Sequence, residues 1–302
     1  MQPDISRYLR FFPPLGKPIE DGRKFHFHTD DYFTIGSSHH VCEDYSRCFD
    51  FKEITPSVAV FVSDGCSSSK DTDFGSRSLV LSAQRCIQGG PIKNIDVQRL
   101  MWFAEHPREL SEGCLDATLM AAYSTPTGYI KVQVFGDGVV SVRRRNGSLE
   151  TYIIDQGGAP AYPSYFSSPD RMEALKKAGF GGRKVTVIVD GEEKAIWEWT
   201  PDELESFPDF TFLVDPRDTD LVVLMSDGVE SFQDISDLSP VPVPLAEVLP
   251  HIVGFKNLKG SFVKRRLNAF EKKTLPKKQW QHYDDLGVGA IYIEEIIEEE
   301  GK

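Results

Sequence analysis

Residues 58–65 of the chain read Val-Ala-Val-Phe-Val-Ser-Asp-Gly. Five consecutive apolar residues, mostly β-branched, predict a buried strand. The strand ends at a carboxylate, Asp64, which is followed by a glycine. A charged side chain at the end of a buried strand needs a cation or several hydrogen-bond donors, because burying it alone costs free energy.

The same pattern returns far along the chain, where residues 221–228 read Leu-Val-Val-Leu-Met-Ser-Asp-Gly. Two predicted buried strands therefore end in Ser-Asp-Gly. If the fold brings these ends together, Asp64 and Asp227 face each other, and like charges at that distance are tolerable only with a metal ion between them. The sequence predicts that the other elements are a scaffold for this meeting of carboxylates.

The composition is that of a globular protein. The 302 residues are 40% hydrophobic and 11% aromatic, which is ample for a substantial core. Acidic residues outnumber basic ones 46 to 34 and give a net charge of −12. This balance argues against a nucleic-acid partner and suits a cytoplasmic or cation-binding protein.

Cysteine usage and apolar runs indicate the compartment. The five cysteines include no Cys-x-x-Cys pair, so neither a disulfide framework nor a structural zinc site is predicted. The N-terminal residues lack the apolar core of a signal peptide, and the longest apolar runs are too short to cross a bilayer. We expect a soluble, cytoplasmic chain with no membrane partner.

The signals along the chain predict one domain with two tails. We expect an N-terminal arm at 1–30, with one short strand at best, a single domain at 31–295 and an acidic tail at 296–302. Residues 155–215 are irregular and rich in Gly, Pro, Ser and Tyr. They predict an insertion over the main sheets, of the kind that often forms a lid or a binding surface.

Periodicity predicts alternating runs of helices and strands. Helices are expected at 74–87, 96–111, 170–178 and 261–274. Further strands are expected at 32–36, 117–123, 129–135, 139–145, 148–154, 185–189 and 286–293. Asn146-Gly147 predicts a type I′ turn between two of them. We expect the basic face of the helix at 261–274 to be solvated.

Several acids lie at the ends of predicted strands, and no histidine or cysteine accompanies them at ligand spacing. They are Asp64, Asp137, Asp227 and Asp284, with Glu43-Asp44 near another strand. Hard oxygen donors favour Mg²⁺ or Mn²⁺ over zinc or copper. Several carboxylates together favour two ions, and a pair of ions is a standard device for activating water against a phosphate ester.

Five short motifs in one order resemble the metal-dependent protein phosphatase family, type 2C. The motifs are Glu43-Asp44, Ser63-Asp64-Gly65, Gly136-Asp137, Ser226-Asp227-Gly228 and Asp284-Asp285 before a strand. The resemblance spans residues 32–293 and is closer to the bacterial branch. It implies an α+β fold, a four-layer α-β-β-α sandwich of two antiparallel sheets flanked by helices, with the metal site at one end.

The resemblance implies that two Mg²⁺ or Mn²⁺ ions are held by a small set of oxygens. Asp64 would bridge both ions, and the Gly65 carbonyl would join one of them. Asp227 and Asp284 would bind the other ion. The resemblance further implies that a hydroxide bridging the two ions attacks phosphorus directly.

Outer acids are also implied by the resemblance, and here the chain departs from the family. Glu43 and Asp44 match acids that hold metal-bound water, and Asp137 matches a ligand of a third, weaker ion. His39 stands where many members carry an arginine that binds the substrate phosphate, and it is our candidate for that contact.

Two more departures concern single residues beside the metal motifs. Cys66 follows the first Asp-Gly, where the eukaryotic branch has a histidine that is a candidate general acid. Ser231 stands where many members have an aspartate for the third ion. The two-metal core is complete, while its periphery is altered.

The prediction is a phosphatase acting on phosphoserine and phosphothreonine of a phosphorylated protein substrate, working as a monomer. A pseudophosphatase that serves as a binding or regulatory module is the alternative from another class, and the residues at 39, 66 and 231 motivate it. A phosphatase for a small phosphorylated metabolite is the third hypothesis. A deep, closed pocket under residues 155–215 would favour it over a protein substrate.

Overall fold

The computed structural model describes residues 18–19, 22–51, 57–89, 110–157, 160–166, 169–177, 182–200, 203 and 209–297. The helix predicted at 96–111 lies outside these residues except for its last two. Residues 298–302 of the predicted tail and most of the predicted arm before residue 22 also lie outside them.

The larger sheet has seven antiparallel strands. In chain order they are β1 (Lys24–Thr34), β6 (Gly138–Arg144), β7 (Leu149–Asp155), β8 (Arg183–Val189), β9 (Glu192–Trp199), β11 (Thr219–Met225) and β15 (Leu286–Ile296). Their order across the sheet is β1-β15-β11-β6-β7-β8-β9. The strand that carries the second Ser-Asp-Gly, β11, is therefore central, between β15 and β6.

The second sheet has five antiparallel strands. They are β2 (Tyr45–Asp50), β3 (Val58–Ser63), β4 (Leu119–Ser124), β5 (Ile130–Phe135) and β10 (Phe210–Val214). Their order is β10-β5-β4-β3-β2. A small third sheet, in the order β13-β12-β14, consists of β12 (Phe232–Asp234), β13 (Val241–Pro242) and β14 (Trp280–His282).

Helices lie outside the sheets. They are α1 (Thr72–Gly89), α2 (Pro163–Phe166), α3 (Pro169–Lys177), α4 (Leu245–Val253), α5 (Phe262–Ala269) and α6 (Leu275–Lys278). Short 3-10 turns occupy Glu112–Leu115 and Asp227–Glu230, and a π-helix, Phe270–Thr274, joins α5 to α6.

The strand with the first Ser-Asp-Gly, β3, is buried on both faces, as the sequence predicts. Val60 and Val62 face the core between the two sheets, together with residues of β11 and β15. Phe61 faces the opposite way and packs with Val80 of α1. The other large apolar cluster lies between the seven-stranded sheet and α4–α6. The layers are helix, sheet, sheet and helix, which confirms the predicted α+β sandwich.

The N-terminal strand is longer than the sequence predicts. Residues 24–34 form one continuous strand that pairs with β15 along its whole length, from Lys24 opposite Ile296 to Thr34 opposite Leu286. Residues 24–30 therefore belong to the sheet, although the sequence assigns them to an arm. Their polar side chains hide the strand because β1 is an edge strand, where one side is solvated.

The region predicted as an insertion over the sheets contributes strands to both sheets. β8 and β9 extend the seven-stranded sheet beyond β7, and β10 pairs with β5 at the edge of the other sheet. Among the described residues of this region, α2 and α3 lie apart from the sheets. The signal that could have revealed β9 is its alternation, with Trp197 buried and its neighbours exposed, which is typical of a half-buried strand.

The hairpin between β6 and β7 forms where predicted, with a different turn. Gly147 has a φ of 93°, whereas Asn146 is not among the residues with positive φ. A type I′ turn requires positive φ at both positions, so this turn belongs to the class in which a single glycine adopts the left-handed conformation. No described helix is both long and apolar enough to cross a membrane.

Candidate metal centre

Five aspartates meet at one end of the two sheets, and we call them the carboxylate cluster. They are Asp44, Asp64, Asp137, Asp227 and Asp284. The Asp64 carboxyl lies within hydrogen-bonding reach of both Asp44 and Asp227. The two Ser-Asp-Gly ends therefore meet as the sequence predicts, because β3 and β11 lie in facing sheets and end at the same edge.

Asp44 is the deepest member of the cluster. Its side chain is fully buried, and its Oδ2 accepts a hydrogen bond of 2.6 Å from the Ser226 hydroxyl. Its Oδ1 is buried without a hydrogen-bond partner among the described residues. Burial and the charges of Asp227 and Asp285 raise the pKa of Asp44 to about 7, against the hydrogen bonds that favour its charged form. A buried carboxylate oxygen without a donor is a position that a cation would satisfy.

The other acids repel one another in the same way. Burial and the charges of Asp44 and Asp227 raise the pKa of Asp64 well above its ordinary value. Burial and the charge of Asp227 raise the pKa of Asp137 to about 8. The pKa of Asp227 is also raised, by burial and by the charge of Asp284. Such mutual destabilisation is relieved by bound cations, and an oxygen-only donor set fits Mg²⁺ or Mn²⁺.

Asp285 organises the loop that carries Glu43, although the sequence predicts no role for it beyond its motif. Its side chain is 1% exposed. Oδ1 accepts the backbone N–H of Gly36 at 2.7 Å, and Oδ2 accepts that of Glu43 at 2.6 Å. The signal that could have revealed it is a second acid directly after Asp284, which cannot share the first one's orientation in an extended chain.

His39 lies among acids. Its Nδ1 is 3.0 Å from Asp285 Oδ2, and its Nε2 is 3.4 Å from Asp284 Oδ1. Burial opposes the charge on the ring, but the Asp285 carboxylate beside Nδ1 and the charges of Asp284 and Glu43 outweigh it and raise the pKa of His39. The ring is therefore biased towards the imidazolium form at the edge of the carboxylate cluster.

His39, Glu43 and Asp285 also offer ligand atoms within 4.8 Å of one another. Both Asp285 oxygens already accept backbone N–H groups, and Glu43 Oε1 accepts the Thr72 hydroxyl at 3.0 Å. Asp285 thus has a donor on each oxygen, in contrast to Asp44. The trio is therefore better explained as a hydrogen-bonded support for the loop than as a metal site.

The second Ser-Asp-Gly packs directly on the Asp284-Asp285 segment. A Cβ built on Gly228 would lie 1.7 Å from the backbone oxygen of Asp285, so only glycine allows this approach. The Ser231 hydroxyl donates to the Gly228 carbonyl at 2.8 Å and accepts the backbone N–H of Asp284 at 3.1 Å. Ser231 thus joins two motif loops by hydrogen bonds, where an aspartate would add charge.

The loop after Asp64 is fixed to the strand pairing that leads into β4. Thr118 accepts the backbone N–H of Asp64 through its hydroxyl at 3.0 Å, and the Asp64 carbonyl accepts the Thr118 N–H at 2.8 Å. Gly65 bridges to Ala117, and the Cys66 N–H donates to the Asp116 carbonyl at 2.8 Å. These contacts fix the backbone around Asp64 and Gly65 without involving the Asp64 carboxyl group.

A segment that runs from Tyr162 through α2 and α3 lies beside Cys66. The sequence does not predict this contact. The Tyr162 hydroxyl lies within hydrogen-bonding reach of the Cys66 thiol. The pKa of Tyr162 is raised by burial, by Cys66 and by the charges of Asp137 and Asp64. The segment is anchored by Asp116, which is 5% exposed. Its Oδ1 accepts Arg171 Nη2 at 2.5 Å and the Ser164 hydroxyl at 2.9 Å.

Two further acids extend the negative margin beside Asp137. The charges of Asp155 and Glu230 contribute to the raised pKa of Asp137. The pKa of Glu230 is itself raised, by burial and by Asp227 and Asp155. Neither acid is followed directly by a glycine, so the Ser-Asp-Gly motif that marks Asp64 and Asp227 could not reveal them.

Comparisons with known proteins bear on the family and the fold. The sequence profile of the family described as protein phosphatase 2C matches residues 36–252, well over half of the chain. A bacterial serine phosphatase matches in structure with a TM-score of 0.50 and 13% identity, over 89% of this chain and 98% of that one.

The serine/threonine phosphatase Stp1 from Staphylococcus aureus also matches in structure, with a TM-score of 0.50 and 13% identity. That match covers 89% of this chain and 96% of Stp1. No curated protein matches the sequence. At these identities the structural matches show the fold alone, and the profile match shows the family.

Proposed function

Since the chain belongs to the protein phosphatase 2C family, we propose that it hydrolyses phosphoserine and phosphothreonine in proteins with two Mg²⁺ or Mn²⁺ ions. Family membership supports a protein phosphatase. The dependence on metal and the choice of substrate residue are the parts that we propose.

The observation that carries the proposal is the unpartnered Asp44 Oδ1 in the middle of mutually repelling carboxylates. We assign Asp64, the Gly65 carbonyl, Asp227 and Asp284 to the two ions. When bound, the ions would lower the pKa of a water molecule enough for direct attack on phosphorus.

The outer residues would position water and substrate. Glu43 and Asp44 would orient water through hydrogen bonds, and Ser226 and Thr72 hold their carboxyl groups. Asp137 is the acid available to a third ion. His39 would contact a phosphate oxygen as a cation, and its acidic neighbours support that role because they raise its pKa.

A binding or regulatory module is the second candidate function, favoured by Ser231. Its hydroxyl is engaged with Gly228 and Asp284 at a position where many family members carry a further acid. A protein of this type would keep the fold and the affinity for metal but hydrolyse phosphate esters slowly or not at all. We also propose a monomer in the cytoplasm, which size-exclusion chromatography and cell fractionation would test.

The experiment is hydrolysis of p-nitrophenyl phosphate and of a phosphothreonine peptide, with Mn²⁺ and with EDTA. We expect activity that needs Mn²⁺ and that falls at least about a hundredfold in Asp227→Ala, since a lost transition-state contact of ~3 kcal/mol gives that factor. Asp237→Ala, which removes an exposed acid outside the carboxylate cluster, is the matched control and should keep full activity.

Two outcomes would contradict the enzyme. One is a folded wild-type chain that is silent on both substrates under Mg²⁺ and Mn²⁺. The other is equal activity in EDTA. Calorimetric binding of Mn²⁺ by the silent protein would then support the binding module.

A further inference from the structure

A cavity of about 350 Å³ lies in the helical layer outside the seven-stranded sheet, and we call it the basic pocket. Four cations line it: Lys256, Arg265, Arg266 and Lys273. No acidic residue is among its lining residues in the described part of the chain, although the whole chain carries a net charge of −12. The basic face of the helix predicted at 261–274 is expected from the sequence to be solvated. Part of that face lines this cavity.

The two arginines are held in place without losing their charge. Arg266 Nη2 donates to the Pro250 carbonyl at 2.6 Å, and Arg265 Nη2 donates to the carbonyls of Asn257 and Lys259 at 3.3 and 2.7 Å. None of these partners is a carboxylate. Neutral carbonyls fix the guanidinium planes and leave the positive charge for a ligand, which is how preorganised anion sites differ from surface ion pairs.

Arg266 carries a hydrogen-bond donor that is not used. Its Nε is buried and has no hydrogen-bond partner among the described residues. Partial burial lowers the pKa of its guanidinium, and its charge together with that of Lys278 adds to the burial that lowers the pKa of His251. The positive charges of Arg266 and Lys278 therefore act together on this part of the helical layer.

The backbone beside the pocket is unusual. Residues Phe270–Thr274 form a π-helix, and Phe270, Lys273 and Thr274 line the cavity. A π-helical turn is rare and occurs mostly at functional sites, because it costs stability relative to a continuous α-helix. Phe255, which is half-buried and packs edge-to-face on Phe262, gives the pocket an apolar wall.

We propose that the basic pocket binds a small organic phosphate, with the phosphate groups on the four cations and an apolar ring against Phe255. Four cations around one cavity suit a ligand with at least two negative charges, and arginine forks match phosphate oxygens. The cavity volume lies at the lower end of the range for small-molecule sites. The pocket shares no residue with the carboxylate cluster, so this proposal stands apart from the proposed phosphatase activity.

The test is calorimetric titration of the full chain with ADP and with pyrophosphate, in EDTA so that no metal ion recruits phosphate to the carboxylate cluster. We expect saturable binding of both probes, weakened by salt because it is electrostatic. The double substitution Lys256→Gln with Lys273→Gln should weaken both at least tenfold. Neither lysine makes an ion pair among the described residues, so the fold should be kept.

Three further variants distinguish the contributions. Lys264→Gln with Lys272→Gln removes the same charge from exposed neighbours outside the pocket and should change affinity less than twofold. Phe255→Ala should weaken ADP and leave pyrophosphate unchanged. Asp227→Ala should bind both probes like the wild type, which keeps the result independent of the metal centre.

The proposal is overturned if neither probe gives saturable heat, or if the control pair of lysines costs as much as the pocket pair. Equal or tighter binding of a glutamate-rich peptide would also overturn it, because the surface would then select an acidic polypeptide over a small phosphate.

Discussion

The buried Asp44 offers a direct test of whether the carboxylate cluster is built for cations. We expect Asp44→Asn to stabilise the metal-free protein at neutral and alkaline pH. The amide keeps an oxygen for the Ser226 hydroxyl, which now lies 2.6 Å from Asp44 Oδ2. It also removes a charge whose other oxygen has no described donor, and its NH₂ group can donate to Asp64.

The magnitude follows from the pKa of Asp44, which is about 7 in the folded metal-free chain and ordinarily 3.8. The folded state binds the proton more tightly than the unfolded state, so stability falls as pH rises through this interval. Each pKa unit is worth ~1.4 kcal/mol, and the advantage of Asp44→Asn should therefore grow by about 3 kcal/mol between about pH 5 and pH 8. The growth should end near the folded pKa, where both states are ionised.

Thermal unfolding in EDTA, followed by circular dichroism at the two pH values, measures this effect. Domains of this size shift by ~2–4 °C per kcal/mol, so the difference in Tm between variant and wild type should widen by about 6–12 °C. With saturating Mn²⁺ the order should reverse, because binding metal requires ionised acids and stabilises the folded state by mass action.

Asp237→Asn, at an exposed acid, is the control and should show the same Tm difference at both pH values. A variant at position 44 that gives an equal difference at both pH values, or that loses stability at alkaline pH, would refute the reasoning. The carboxylate would then be compensated in a way that the structure does not show.

Three other substitutions test the packing and the supports of the site. Gly289→Ala should destabilise the fold by about 1–3 kcal/mol in urea unfolding, because the new Cβ would lie 2.2 Å from Val60 Cγ1. Asp285→Asn should cost about 1–3 kcal/mol by leaving one buried backbone N–H without an acceptor, and should raise KM for p-nitrophenyl phosphate. Arg171→Gln should cost roughly 3 kcal/mol, because the buried Asp116 carboxylate loses its cation.

Matched variants separate these causes from general sensitivity. A Cβ at Gly157 meets nothing within 4 Å, so Gly157→Ala should be neutral. Lys177 is 74% exposed, and Lys177→Gln should leave unfolding unchanged. Unaltered stability in Gly289→Ala would mean that the sheets separate more easily than the contact implies. Unaltered KM in Asp285→Asn would argue against a support for His39.

Much of the fold could be predicted because its signals are local. The run before Asp64 is apolar at every position, so burial on both faces follows from the residue types alone. The helix α1 and the strand β15 follow in the same way from periodicity. β9 has the alternation of a strand, but its place at the sheet edge and its pairing partner, β8, are chosen by the tertiary fold.

The acids that end strands could be picked out, whereas their supports could not. Asp64 and Asp227 carry a repeated motif, but Asp285 owes its importance to the backbone N–H groups of Gly36 and Glu43, more than 240 residues away. The anchoring of Arg171 on Asp116 likewise joins positions 55 residues apart. No local pattern encodes such pairs.

The sequence by itself determined which residues carry charge at the ends of buried strands, and through them the family. Residue chemistry and the alternation of side chains are properties of the chain, so they survive without a structure. Only the tertiary structure decided that Asp44 is fully buried with an unpartnered oxygen, that Ser231 is a hydrogen-bonded link, and that scattered cations surround one pocket. Burial and donor supply depend on which distant segments meet, and that is a property of the fold.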